Sequence, residues 1–175
     1  MKNIIIALCC VMLASCNSKP SLEKYFVDNT ENKNFVQVDV SSNILNVDKT
    51  KLTETEKNAL KSFDKMNVLA FKINDKNKLQ FAAERAKVAE ILKDEKYQQL
   101  MKFGSGKQGA QVSYVGDDDH ISEFVVFGNS QESGFAVVRV LGKNMNPSGI
   151  LSMLSLLKNS NMDLEQLKPL KDLLK

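Results

Sequence analysis

Between Ala110 and Leu141 the chain carries three short apolar segments, Ala110 to Val115, Ile121 to Phe127 and Phe135 to Leu141, parted by two brief polar breaks. Each segment is too short for a stable helix and rich in β-branched and aromatic residues, so each reads as a strand. The breaks, Asp117-Asp118-Asp119 and Asn129-Ser130-Gln131-Glu132-Ser133, are too short for a parallel crossover, which leaves hairpins. Phe124 to Phe127 and Phe135 to Val138 are apolar on both faces, which places these two strands at the centre of a sheet. Whatever else the chain does, it must cover that sheet.

The preceding residues supply the cover. Ser21 to Thr30 reads as a short helix with Leu22, Tyr25 and Phe26 on one side, broken by Asn29 to Asn34. Val36, Val38 and Val40 alternate with Gln37 and Asp39, the period of a strand with one wet face. Thr53-Glu54-Thr55-Glu56 is a capping box that starts a helix over Glu54 to Lys65, with Ala59, Leu60 and Phe63 inward. Val68 to Ile73 reads as a strand. A long helix begins near Lys78, where Leu79, Ala82, Ala83, Ala86 and Ala89 form a small-residue stripe suited to close packing on a sheet, beside Phe81, Val88 and Leu92. Tyr97 to Phe103 fits either a further helical turn or the beginning of a strand. Pro147 suits the first turn of a helix through Leu157, and Leu164, Leu167, Leu170 and Leu173 mark a last amphipathic helix. That leucine-rich end either completes the protein's own core or docks a partner.

The expected fold is α+β: a mostly antiparallel sheet of about five strands with helices packed on it and a C-terminal helical pair, as one domain over residues 21–175. Hydrophobic residues make up 43% of the 175 and charged ones 26%, which excludes a disordered chain. A net charge of +3 is too small for the basic face of a nucleic-acid binder.

The first residues are of a different kind. Met1-Lys2-Asn3 precedes an apolar run from Ile4 to Ala14, half the roughly 20 residues that span a bilayer, so residues 1–15 read as a signal peptide. Leu13-Ala14-Ser15-Cys16 resembles the bacterial lipobox, which makes Cys16 the lipid-attachment residue and the first residue of the mature chain. A diacylglycerol plus an amide-linked acyl chain is a firm anchor where one chain is marginal. Residues 16–20 form the lipidated anchor segment. Asn17 is not the aspartate of an inner-membrane retention signal, and no acidic surface-export run follows. The expected address is the periplasmic face of the outer membrane.

Glu123 and Arg139 are the only charges in two otherwise apolar strands. A hairpin closing symmetrically about Gln131 would set them directly opposite, as a structural ion pair. The other reading gives Arg139 an anionic ligand.

Few residues suggest chemistry. Gly104-Ser105-Gly106-Lys107-Gln108-Gly109 matches G-x-G-x-x-G, but the expected order there is helix before and strand after, the reverse of a dinucleotide fingerprint. Asp117, Asp118, Asp119 and His120 gather three carboxylates and the sole imidazole, a weak metal candidate because consecutive turn residues point apart. With Cys9 and Cys10 removed in the signal and Cys16 acylated, no thiol nucleophile remains. Ser-x-x-Lys at Ser21, Ser62 and Ser155 is what chance supplies in a chain this rich in serine and lysine. No carboxylate pair stands out for a hydrolase, and no tryptophan offers a platform for sugars. No catalytic residue and no cofactor is assigned.

Taken with the lipobox cysteine, the Val36-Gln37-Val38 strand after a short helix, Tyr97-Gln98-Gln99-Leu100-Met101 and Ala136 to Gly142 followed by Lys143-Asn144-Met145-Asn146 give the chain a family likeness. It resembles small lipoproteins of Bacteroidota-type bacteria known as domain of unknown function 4252, over roughly Ser21 to Leu157. The resemblance implies no catalytic residues. The expected function is a lipid-anchored binding or accessory module in contact with a membrane and a protein partner. Alternatives are an envelope hydrolase or metal-dependent enzyme using Asp117 to His120, and a partner in envelope-stress signalling. Oligomeric state is left open.

Overall fold

The computed structural model describes residues 19–42, 52–104, 108–117 and 120–149. Among these residues the elements in order are α1 (Leu22–Asp28), β1 (Phe35–Ser41), α2 (Glu54–Ser62), β2 (Phe63–Lys72), α3 (Lys78–Ile91), β3 (Gln98–Gly104), β4 (Gln108–Asp117), β5 (His120–Ser130) and β6 (Gly134–Met145). The strands form one six-stranded sheet ordered β1-β2-β6-β5-β4-β3, with every neighbouring pair antiparallel. β5 and β6 lie in the middle, as their two-sided apolar runs require. No helix among the described residues is long and apolar enough to cross a membrane.

Strand alternation divides the core into two faces. Leu69, Val137, Phe127 and Val125 point to one side, where Leu22, Tyr25 and Phe26 of α1 and Phe81, Val88 and Ile91 of α3 join them in the largest buried cluster. Rings carry much of this layer: Phe71 stacks on Phe135 at 5.5 Å, and Phe35 meets both edge-on. Such pairs add about 0.5–1.5 kcal/mol each beyond area burial. Phe124 and Val140 point to the opposite side, where Phe63, Ile121, Met145 and Leu60 of α2 pack on them.

α1 is capped by Ser21, whose hydroxyl accepts from the Lys24 amide. α2 has its complete capping box, with Thr53 and Glu56 bonded reciprocally. It stops at Ser62 rather than Lys65, because Phe63 turns extended to pack against Met66 and Ile121, and β2 therefore starts five residues before Val68.

Three expectations change. The sheet has six strands, not five, the sixth being β3. α3 does not use its alanine stripe: Ala82, Ala83, Ala86 and Ala89 are exposed and Leu79 is 91% exposed, while Phe81, Glu84, Val88 and Ile91 are buried. Removing a phenyl ring and branched aliphatics from water gains more than removing methyl groups, so the larger side chains set the helix rotation. The β5–β6 hairpin closes about Glu132, not Gln131, with Ser130 opposite Gly134 and Val125 opposite Arg139. Gly134 sits at φ +115, and a Cβ there would lie 1.9 Å from the Phe71 carbonyl oxygen on β2. That glycine permits a three-residue loop and extends the ladder over Asn129 and Ser130.

Of the expected C-terminal helical pair, Pro147 to Gly149 are helical and the rest lies outside the described residues, as do the signal segment and Cys16.

Candidate functional site

With Phe81 and Val88 turned onto the sheet, Ala82, Ala86 and Ala89 face sideways toward the β3–β4 hairpin. Methyl groups cannot fill the gap they face. The result is a groove of about 570 Å³, walled by those alanines and Arg85 on α3 and by Lys102, Phe103, Ala110, Gln111, Phe127 and Asn129 on the sheet. Its volume lies within the range that holds small molecules or single side chains of a partner. The charged residues lining it, Arg85 and Lys102, are both cations. The Asn129 amide donates to the Gly109 carbonyl at 3.3 Å, while its own Oδ1 is buried without a partner.

β3 borders the groove and ends the sheet. All seven of its residues are exposed, and its apolar side chains are not sheltered: Leu100 is 42%, Met101 45% and Phe103 58% exposed. Lys102 pairs with Gln111 on the groove face and Met101 with Val112 on the other, while Phe103, paired with Ala110, also lines the groove. A bulge falls between Gln99 and Met101. The strand's beginning is fixed by Gln98, which donates to the Gly116 carbonyl at 2.7 Å and accepts from the Tyr114 hydroxyl at 3.0 Å.

Inside the sheet, Arg139 Nε donates to Glu123 Oε1 at 2.6 Å, and both residues are 8% exposed. They are diagonal neighbours, since Glu123 stands opposite Leu141 and Arg139 opposite Val125. A shift of two residues, unlike a shift of one, keeps both on the same face, and long side chains span the diagonal. The guanidinium also lies over the Phe26 ring at 5.4 Å. Burial, then the Glu123 charge, pushes the nearby Tyr97 phenol up to about 12. A second buried carboxylate, Glu84, accepts from the Tyr25 hydroxyl at 2.8 Å and from Lys87 at 2.7 Å. Burial and those Glu84 interactions raise the Tyr25 phenol far above its ordinary value. Tyr25 thus ties α1 to α3, and Arg139 ties α1 to the sheet.

Asp117 and His120 form the last pair of the β4–β5 ladder, and both are exposed; Asp118 and Asp119 lie outside the described residues. Among the described residues no three His, Cys, Asp or Glu side chains gather closely enough to hold a metal ion. In the Gly104 to Gly109 motif, Gly104, at φ +90, pairs with Gly109 at the end of the β3–β4 ladder, and Ser105, Gly106 and Lys107 lie outside the described residues. The expected helix before it is replaced by β3. No helix N-terminus follows to meet a pyrophosphate, which is what that motif needs. The groove and the open edge were not expected from the sequence, where their only signal is Leu100, Met101 and Phe103 standing in a segment without a clear period.

The pattern that defines the family described as "Domain of unknown function (DUF4252)" matches residues 25–153, well over half of the chain. The chain belongs to this family. The DUF4252 match begins at Tyr25 in α1 and takes in all six strands, so it contains the buried ion pair, the groove and the open β3 edge. No curated protein and no solved structure matches the chain.

Proposed function

We propose that this DUF4252 protein is a lipid-anchored accessory protein of the bacterial envelope, held by Cys16 to the periplasmic face of the outer membrane, and that it works by binding another protein. The observation that carries the anchor is the Leu13-Ala14-Ser15-Cys16 box behind a short apolar run. Cys16 stands six residues before α1, so its lipid lies within about 20 Å of Leu22 even with the chain fully extended. The domain therefore rides close to the bilayer. Leu22, where α1 begins, and Tyr97, the residue before β3, are buried in the same cluster, so β3 starts on the side of the domain where the tether arrives. β3 runs from there for seven residues, about 20 Å, and carries Phe103 and the groove away from the tether. Binding is supported by the groove and the exposed apolar edge.

The test is Cys16→Ser in the native host, followed by fractionation and labelling with a radioactive fatty acid. The wild-type chain should take up label and sediment with outer membranes, and the variant should do neither. Label and membrane recovery unchanged in the variant would overturn the anchor.

A further inference from the structure

We propose that the β3 edge binds an extended peptide segment by strand addition, and that the segment it selects alternates acidic with apolar residues. The proposal deepens the protein-binding reading above and rests on it. The two edges of the sheet are built differently. On β1, Phe35, Val38 and Val40 are buried, Thr30 donates to Gln37, and Asp39 is bonded by Gln37 and Asn67. β3 has no buried residue, and three large apolar side chains stand in water along it. Folded proteins cover or blunt such edges, because the free backbone groups of an edge strand template pairing with another chain. Past the bulge between Gln99 and Met101, no strand among the described residues pairs with the outer edge of β3, and such an edge beside a groove is a place for a strand to add.

Side-chain alternation fixes what that strand must carry. A segment laid along β3 directs successive side chains to opposite faces. On one face they meet Lys102, beside the groove that Phe103 also lines; on the other they meet Met101. Opposite charges side by side across a ladder stabilise it and like charges oppose it. Carboxylates thus belong on the groove face and aliphatic or aromatic groups on the other. The same lysine selects against a second copy of this chain, since antiparallel pairing of β3 with itself centred near Lys102 brings two ammonium groups together.

The test uses the full lipidated chain in detergent micelles and two fluorescein-labelled ten-residue peptides, one alternating valine and glutamate, the other valine and lysine. Fluorescence anisotropy should show the glutamate peptide binding, more weakly as salt is raised, and the lysine peptide failing to bind. Lys102→Glu should weaken the glutamate peptide at least tenfold and confer binding of the lysine peptide. That reversal is one a merely misfolded variant cannot produce. Phe103→Ser should weaken the glutamate peptide without changing the charge preference. Equal binding of both peptides, or no change in Lys102→Glu, overturns the proposal. So does a wild-type chain that sediments as a dimer and dissociates in Phe103→Ser, which would make a second copy the occupant. The peptide assay does not depend on lipid, so its failure and the failure of the Cys16 experiment are separate results.

Discussion

Breaking the Glu123–Arg139 pair from one side should cost far more than replacing the pair as a whole. The two residues are 8% exposed and 2.6 Å apart, with Arg139 resting on the Phe26 ring at 5.4 Å. At an effective dielectric of about 20, unit charges this close attract by about 4–6 kcal/mol. Withdrawing each ion from water costs several kcal/mol, so attraction and desolvation nearly cancel. Glu123→Leu removes the attraction and leaves a buried guanidinium uncompensated, which should destabilise the domain by about 3–5 kcal/mol. Arg139→Met leaves the carboxylate in the same position and should cost a similar amount, plus about 1 kcal/mol for the lost contact with Phe26. The double variant Glu123→Leu with Arg139→Met should fall within about 1–2 kcal/mol of wild type. Urea unfolding of the four proteins closes a double-mutant cycle, and a coupling energy of at least about 2 kcal/mol is expected. Additive losses, with the double variant the least stable, would refute the reasoning and make each side chain a separate packing element.

Thr53→Ala deletes half of the α2 capping box and should cost about 1 kcal/mol, read by the same urea titration. At Gly134, alanine meets both a φ of +115 and the Phe71 carbonyl oxygen, so Gly134→Ala should destabilise by more than about 1 kcal/mol, whereas Gly128→Ala, with open space at its Cβ, should cost less. The phase of α3 is tested by Leu79→Ser, expected within about 0.5 kcal/mol of wild type, against Phe81→Ala, expected to cost about 3–5 kcal/mol. Tyr97 and Tyr25 hold their protons in the fold above the unfolded phenol value of 10. Between that value and the folded one the unfolded chain binds fewer protons, so stability should be intact below pH 10 and fall by up to about 1.4 kcal/mol per pH unit per tyrosine above it. Thermal melts from pH 8 to 11.5 would show this, and Tyr97→Phe should flatten the slope.

Local signals in the sequence carried through where the structure used them locally. The Thr53 and Glu56 box caps α2 as its spacing requires, Leu22, Tyr25 and Phe26 share one side of α1, and the Val36, Val38 and Val40 alternation is a strand. The departures all arise from contacts distant in the chain. Glu84 is a charged residue on the buried face of α3 because Tyr25, 59 positions away, donates to it. The β5–β6 register depends on Gly134 fitting against Phe71 of a strand that no turn rule mentions. β3 has no period because neither of its faces is buried, and an edge strand without burial leaves no hydrophobic pattern to read. The groove exists only because α3 turns its alanines away from the sheet. For the same reason Asp117 to His120, conspicuous in one dimension, is in the described residues Asp117 and His120 an exposed ladder end, while the open edge beside Lys102 was inconspicuous.

The mass of the N-terminal peptide, taken from protein extracted with detergent from envelopes of its own cells, tests the proposed anchor most directly. The account predicts a chain beginning at Cys16, with a diacylglycerol on the thiol and an acyl group on the amine. A free Cys16 thiol, or a chain that begins elsewhere, would contradict it.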